Sequence, residues 1–181
     1  PAGYFIDFGP PRHRKATPAQ VREILMKDRP ALDLVRRAAA MPQCRFPINY
    51  EAGAAALFPH LPRLREIARV LSARSLIAAM DGRSSDSLAD VGTIVDMSRQ
   101  IAKEPVVISQ LVQYGCLAIA AGALQRSLEL VPPDAGAAMT LYRKLSAYAV
   151  SAPLPRAPEC ARCFRLSPFR TIHTPPPRST L

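Results

Sequence analysis

Apolar side chains in the middle of the chain recur in alternating steps of three and four. Leu61, Leu64, Ala68, Leu71, Ser75 and Ala78 mark one side of a helix over Leu61–Asp81. Arg63, Arg65, Glu66, Arg69 and Arg74 fall mostly off that stripe, which leaves the other side free to meet water. Gly82 then offers the left-handed residue that ends a helix. Ser84 or Ser85 can cap the next helix, over Ser85–Lys103. Asp86 and Asp90 come early in it and Arg99 and Lys103 late, the order that the helix dipole favours. Leu88, Val91, Val95, Ser98 and Ala102 repeat the spacing. The pattern predicts two antiparallel helices joined by a tight turn.

A third helix is expected over Pro105–Leu130, with proline at a tolerated first position. No charged side chain occurs from Pro105 to Gln125, long enough to raise the question of a membrane span. Ser109, Gln110 and Gln113 sit close together and would be costly in lipid. The expectation is therefore a central helix, apolar all round and covered by the two before it. Leu111, Leu117 and Leu124 should then lie deep, and Leu117→Ala should cost about 2–5 kcal/mol. A side left uncovered would mark a partner or membrane surface.

Before this core, Thr17-Pro18 is a helix-start signal followed by Val21, Ile24 and Leu25. A second helix fits Pro30–Met41, with Leu32, Val35 and Ala39 on one face and Arg36 and Arg37 on another. Prolines at 42, 47, 59 and 62 make 42–60 a connector, pinned by Phe46, Ile48, Tyr50, Leu57 and Phe58. After the core, Pro132-Pro133-Asp134 stops one helix and starts another. That last helix should bury Ala138, Leu141, Leu145 and Tyr148 while Arg143 and Lys144 face water. The ends read differently. Residues 1–16 form an irregular arm, and 151–181 hold seven prolines and five arginines without apolar periodicity. The expected division is thus an arm at 1–16, an all-helical domain at 17–150 and a Pro/Arg-rich, unpacked tail at 151–181.

Composition agrees with helices: 49% of residues are hydrophobic, only 6% are aromatic, and tryptophan is absent. The first residue is Pro1 and not Met, which suggests a fragment or processed chain with any anchor lying upstream. A formal charge of +10 raises the question of nucleic acid, so its placement matters. Residues 61–150 carry a surplus of two positive charges, against four before them and four after. Spread this way, and made mostly of arginine, the charge reads as a solvated surface and not as a binding stripe.

Candidate chemistry is sparse. Cys160 and Cys163 have the spacing of half a zinc site, and His173 is a possible third ligand. A zinc site, a local disulfide and unremarkable thiols all remain open, with the last favoured because no second cysteine pair follows. Cys44 stands apart, and Cys116 falls inside the apolar helix, where a thiol serves as a small hydrophobe. His60 has no evident acidic neighbour to orient it as a base. Asp86, Asp90 and Asp96 could suggest a carboxylate cluster, but the start of a helix accounts for the first two. With no phosphate loop, nucleophile elbow or metalloprotease motif, no catalytic residue and no cofactor is expected.

Gly82-Arg83-Ser84-Ser85-Asp86-Ser87-Leu88 resembles the turn of a tetratricopeptide repeat, with Ser87 at its small position and Arg99 where that motif has proline. A wider likeness runs over about residues 30–130. Ala31-Leu32-Asp33-Leu34-Val35-Arg36-Arg37-Ala38, Cys44-Arg45-Phe46-Pro47, Leu61-Pro62-Arg63-Leu64, and Glu104-Pro105 through Gln110-Leu111-Val112 resemble an uncharacterised family of helical proteins from planctomycete-type bacteria. That resemblance implies a helical fold, a cell-envelope setting and, in many members, an N-terminal membrane anchor. It implies no catalytic residues.

The sequence therefore predicts an all-α domain of five or six helices in antiparallel, tetratricopeptide-like hairpins. Its expected role is non-catalytic, a scaffold or protein-interaction domain, with contact to nucleic acid disfavoured. The alternative is a metal- or nucleic-acid-binding module built on the basic, cysteine-containing tail. Cys160→Ser separates the two. Stability should stay within about 0.5 kcal/mol of the parent, and stoichiometric zinc lost from that variant would reverse the preference.

Overall fold

The computed structural model describes residues 17–150. The arm at 1–16 and the tail at 151–181, with Cys160, Cys163 and His173, lie outside the described residues. Six α-helices follow one another: α1 (Pro18–Lys27), α2 (Arg29–Ala39), α3 (His60–Met80), α4 (Ser84–Ile101), α5 (Val107–Leu130) and α6 (Ala135–Val150). A short 3-10 turn at Tyr50–Ala55 interrupts the connector between α2 and α3, and no strand occurs among the described residues. The all-α reading holds.

Several boundaries have visible local causes. Thr17 and Gln20 cap α1 reciprocally: Gln20 N donates to Thr17 Oγ1, and Thr17 N donates to Gln20 Oε1. Gly82 takes φ +77°, and the next amide, Arg83 N, reaches back to Ala78 O at 2.8 Å to close the α3 end. Ala137 N donates to Asp134 Oδ2 at 2.8 Å and starts α6. The expected serine cap of α4 is absent. Ser84 Oγ instead accepts from Asp134 N and ties the α5–α6 turn to the head of α4.

Helices α3, α4 and α5 pack on one another pairwise, with α4 antiparallel to both neighbours. Helix α6 lies on α4, α2 on α4, and α1 on α3. The centre is α4. Thirteen of its eighteen residues are buried, against seven of twenty-four in α5. Leu71, Val91 and Val95 are fully enclosed, as the three-four stripes of α3 and α4 predict, and so are Ile94 and Ile101, which lie off those stripes. The expectation that α5 is central is overturned. Leu111 is 61% exposed, while Leu117 and Leu124 are only half-buried, so the full cavity cost expected for Leu117→Ala does not apply. The helix also begins at Val107 and not at Pro105. Val106 is extended, and the Gln110 amide donates to the carbonyls of Ala102 and Glu104 to hold that bend.

Polar groups lock the centre. Ser75 of α3, Ser87 of α4 and Ser127 of α5 form a buried ring of hydroxyls, with Oγ separations of 2.9, 3.1 and 2.7 Å. Asp90, 1% exposed, accepts from Arg74 Nε and Nη2 at 2.8 and 2.5 Å and from Arg36 Nη2 at 3.1 Å. Three readings are corrected here. Arg74 points into the bundle, not to water. Asp90, attributed above to the start of a helix, is instead buried against the guanidiniums of Arg36 and Arg74, while Asp86 pairs with Arg83 and Asp96 with Lys144. Lys144, expected to face water, is half-buried in that last pair. In the connector, Phe46, Ile48 and Phe58 are half-buried as expected, but Tyr50 and Leu57 are exposed; so are Ile24 of α1 and Leu145 of α6.

The Asp90 lock joins α2, α3 and α4 in a place that water hardly reaches. Removing the carboxylate leaves two guanidiniums facing each other without their counter-charge. Asp90→Ala should therefore cost about 3–5 kcal/mol in urea unfolding; a loss below about 1 kcal/mol would mean the pair contributes no more than a surface bridge.

Candidate functional site

Helix α5 is built the reverse of an ordinary amphipathic helix. Its inward positions Ser109, Gln113, Cys116, Ala120, Ala123 and Ser127 recur at steps of four and three, and all are small or polar. Such side chains let α5 settle closely against α3 and α4. Its outward positions repeat the same spacing half a turn away: Val107, Leu111, Tyr114, Ala118, Ala121, Gln125 and Leu128. Four of these are large, and each of the four is 47% exposed or more. The helix is long and apolar enough to cross a membrane by length and composition, yet only a third of its most apolar window is buried. What lies open is one continuous apolar face, uncharged from Val107 to Gln125, about 28 Å along the helix.

Glycines border that face. Gly115 and Gly122 sit inside α5, where each costs roughly 1 kcal/mol of helix stability relative to alanine. Packing among the described residues does not demand either. An added methyl would meet only the ends of arginine side chains, Arg65 Nε at 3.8 Å for Gly115 and Arg126 Nη1 at 3.4 Å for Gly122. Neither glycine is thus held small by backbone or core packing among the described residues.

A second feature is a cleft of about 430 Å³ between α1–α2 and α3–α4, lined by Arg22, Arg29, Arg36, Arg74 and Arg83 with Asp33, Asp81, Asp86 and Asp90. Its charges are largely spent on one another. Arg22 reaches Asp81 at 2.6 Å, Arg83 reaches Asp86 at 2.6 Å, and Asp90 holds Arg36 and Arg74. The Arg22 hydrogen bond, ahead of that from Arg83, holds the Asp81 carboxyl below the usual carboxylate range. This is a set of clamps between helices.

The third is the acidic partner of His60 that the sequence did not suggest. Glu104 Oε1 lies 2.7 Å from His60 Nε2, without hydrogen-bond alignment, and Glu104 Oε2 accepts from Ser109 Oγ. Phe46 stacks on the imidazole with ring centroids 4.1 Å apart. The carboxylate stands between histidine and serine, so the hydroxyl is not in contact with the base that nucleophilic catalysis would require. The trio fastens the start of α3 to the α4–α5 bend. Sequence alone separates His60 and Glu104 by two helices, which is why the pairing was not legible there.

Among the described residues, no group of three His, Cys, Asp or Glu side chains is placed to hold a metal. The tail candidates Cys160, Cys163 and His173 lie outside those residues. Cys44 is exposed and Cys116 is buried, both as free thiols. No protein-family model, curated protein or solved structure matches the chain.

Burial pushes the Cys116 thiol from an ordinary 9.0 up to about 11, against the opposing pull of Arg65 and Arg69. The folded state thus holds this proton more tightly than the unfolded one. The resulting stability is complete below about pH 9 and is lost as pH rises through about 11, amounting to roughly 3 kcal/mol. Guanidinium unfolding of the native chain and of Cys116→Ala should converge over that window; a gap independent of pH would refute the assignment.

Proposed function

We propose that this chain is a non-catalytic helical interaction domain whose binding surface is the outer face of α5. The observation that carries the proposal is the side-by-side exposure of Val107, Leu111, Tyr114 and Leu128 on a helix anchored firmly from its other side. A continuous apolar face of this kind is left open where a partner covers it. The partner is apolar and helical in shape, since the face is a straight stripe of heptad spacing with glycines along its border. Interior polar groups support the same reading. Asp90, Asp96, Glu104 and the three serines are each engaged in joining helices, so they act as structure. The arginines of the α1–α4 cleft are largely paired with carboxylates, which favours protein over nucleic acid as the partner.

The test measures the open face directly on dilute protein. Leu111→Lys and Leu128→Lys should elute early in hydrophobic-interaction chromatography, with unfolding free energies within about 0.5 kcal/mol of the parent. Unchanged elution would show that the face is not open on the single chain and would end the proposal. So would a large loss of stability, because these side chains would then belong to the core.

A further inference from the structure

We infer that the α5 face takes a helix of another protein, apolar along its contact and carrying carboxylates on the side that lies over α3. The inference rests on the interaction reading above and supplies the chemistry of its partner.

Charge around the face is one-sided. At 100° per residue, Gly115, Gly122 and Arg126 lie along one border of the stripe, and Leu117 and Leu124 along the other. On the glycine border the Arg65 guanidinium of α3 lies beside Gly115, and that of Arg126 beside Gly122. Arg69 stands one turn beyond Arg65 on the same side of α3, and both act on the Cys116 thiol of α5. None of these three cations is neutralised. Among the described residues Arg65 and Arg69 have no ion pair, and Arg126 donates only to Ser72 Oγ, at 3.3 Å. The carboxylates closest to them in sequence are engaged elsewhere, Glu66 with Arg63 at 3.5 Å and Glu129 with the Gln125 amide at 3.2 Å. The other side of the fold is the contrast. There Arg22, Arg36, Arg74 and Arg83 each hold an aspartate.

The spacing gives the partner its pattern. Gly115 and Gly122 are two helical turns apart, about 10 Å, with Arg69 adding a cation on the same border. A helix laid along α5 meets this row with carboxylates at i, i+4 and i+7 of one flank. From Leu111 to Leu128 the stripe is about 26 Å long and roughly 10 Å wide, small against the ~800 Å² per partner of a standard interface. Apolar contact alone is therefore weak, and the charged border supplies the selectivity.

The same border disfavours the other occupants. The arm at 1–16 sets Asp7 against Arg12, Arg14 and Lys15, and the tail at 151–181 sets Glu159 against five arginines, so both bring net positive charge. The same face of a second copy brings the same three guanidiniums. An anionic lipid surface presents like headgroups to both sides of a helix and rewards cations on both; along α5 the Leu117–Leu124 border has none.

The probe is a fluorescent helical peptide of about eighteen residues, with leucines at heptad a and d and glutamates along one flank, compared with its lysine-flanked counterpart. In fluorescence anisotropy with the full chain, the glutamate peptide should bind at least tenfold more tightly, about 1.4 kcal/mol. That gap should fall below about threefold in roughly 0.5 M salt and in the Arg65→Gln, Arg69→Gln, Arg126→Gln triple variant. Leu111→Lys should weaken both peptides. Equal binding of the two peptides would overturn the inference, because the border would then choose nothing. Failure of both to bind would overturn it too, while the proposed function would still stand or fall on its chromatographic test. Sedimentation with phosphatidylserine vesicles that Leu111→Lys abolishes would assign the face to lipid. Self-association that Leu111→Lys abolishes would assign it to a second copy. Either result overturns the inference.

Discussion

The ring of three hydroxyls at Ser75, Ser87 and Ser127 sets the terms for the whole bundle. Each hydroxyl is buried, so each must find its hydrogen bond inside the protein, and these three find it in one another where three helices converge. That requirement rotates α5 until Ser127 faces inward. One rotation fixes every other residue of a rigid helix: Ser109, Gln113, Cys116, Ala120 and Ala123 go in, and Leu111, Tyr114 and Leu128 come out. The open apolar face and the close α3–α4–α5 packing are thus one decision seen from two sides.

This explains which parts of the architecture could be read in advance. The stripes of α3 and α4 were legible because aliphatic residues and burial coincide there: Leu61, Ala68, Leu71, Leu88, Val91 and Val95 are all buried. The caps at Thr17 and Asp134 and the turn at Gly82 were legible because they use short-range chemistry. Helix α5 was misplaced because apolar content was taken as a measure of depth. When almost every residue of a helix is apolar, hydrophobicity no longer distinguishes its sides, and the few polar residues decide. Ser109, Gln110 and Gln113, which would be costly in lipid, mark the buried side.

Charged groups were illegible for a different reason. Arg74 with Asp90, and His60 with Glu104, are separated by 16 and 44 positions. No periodicity connects such pairs; they exist only once the helices are packed. The same holds for Lys144 and Asp96, which looked like ordinary surface charges of two amphipathic helices. Each pair also marks a joint between elements. Asp90 gathers α2 and α3 onto α4, Asp96 brings in α6, and Glu104 clasps the bend before α5 to the start of α3.

Among the described residues, helix α6 has one substantial neighbour. It touches α4 through Leu141 beside Gly92 and through Lys144 with Asp96, and the Arg99 guanidinium donates to its Lys144 carbonyl. The other helices of the core are each held by at least two neighbours, so their opening must disrupt the centre. Lifting α6 exposes one flank of α4 and leaves the hydroxyl ring and the Asp90 lock intact. The molecule therefore has a built-in order of opening: α6 detaches as a unit at a fraction of the global unfolding free energy, and its amides exchange with solvent long before those of Ile94 and its neighbours.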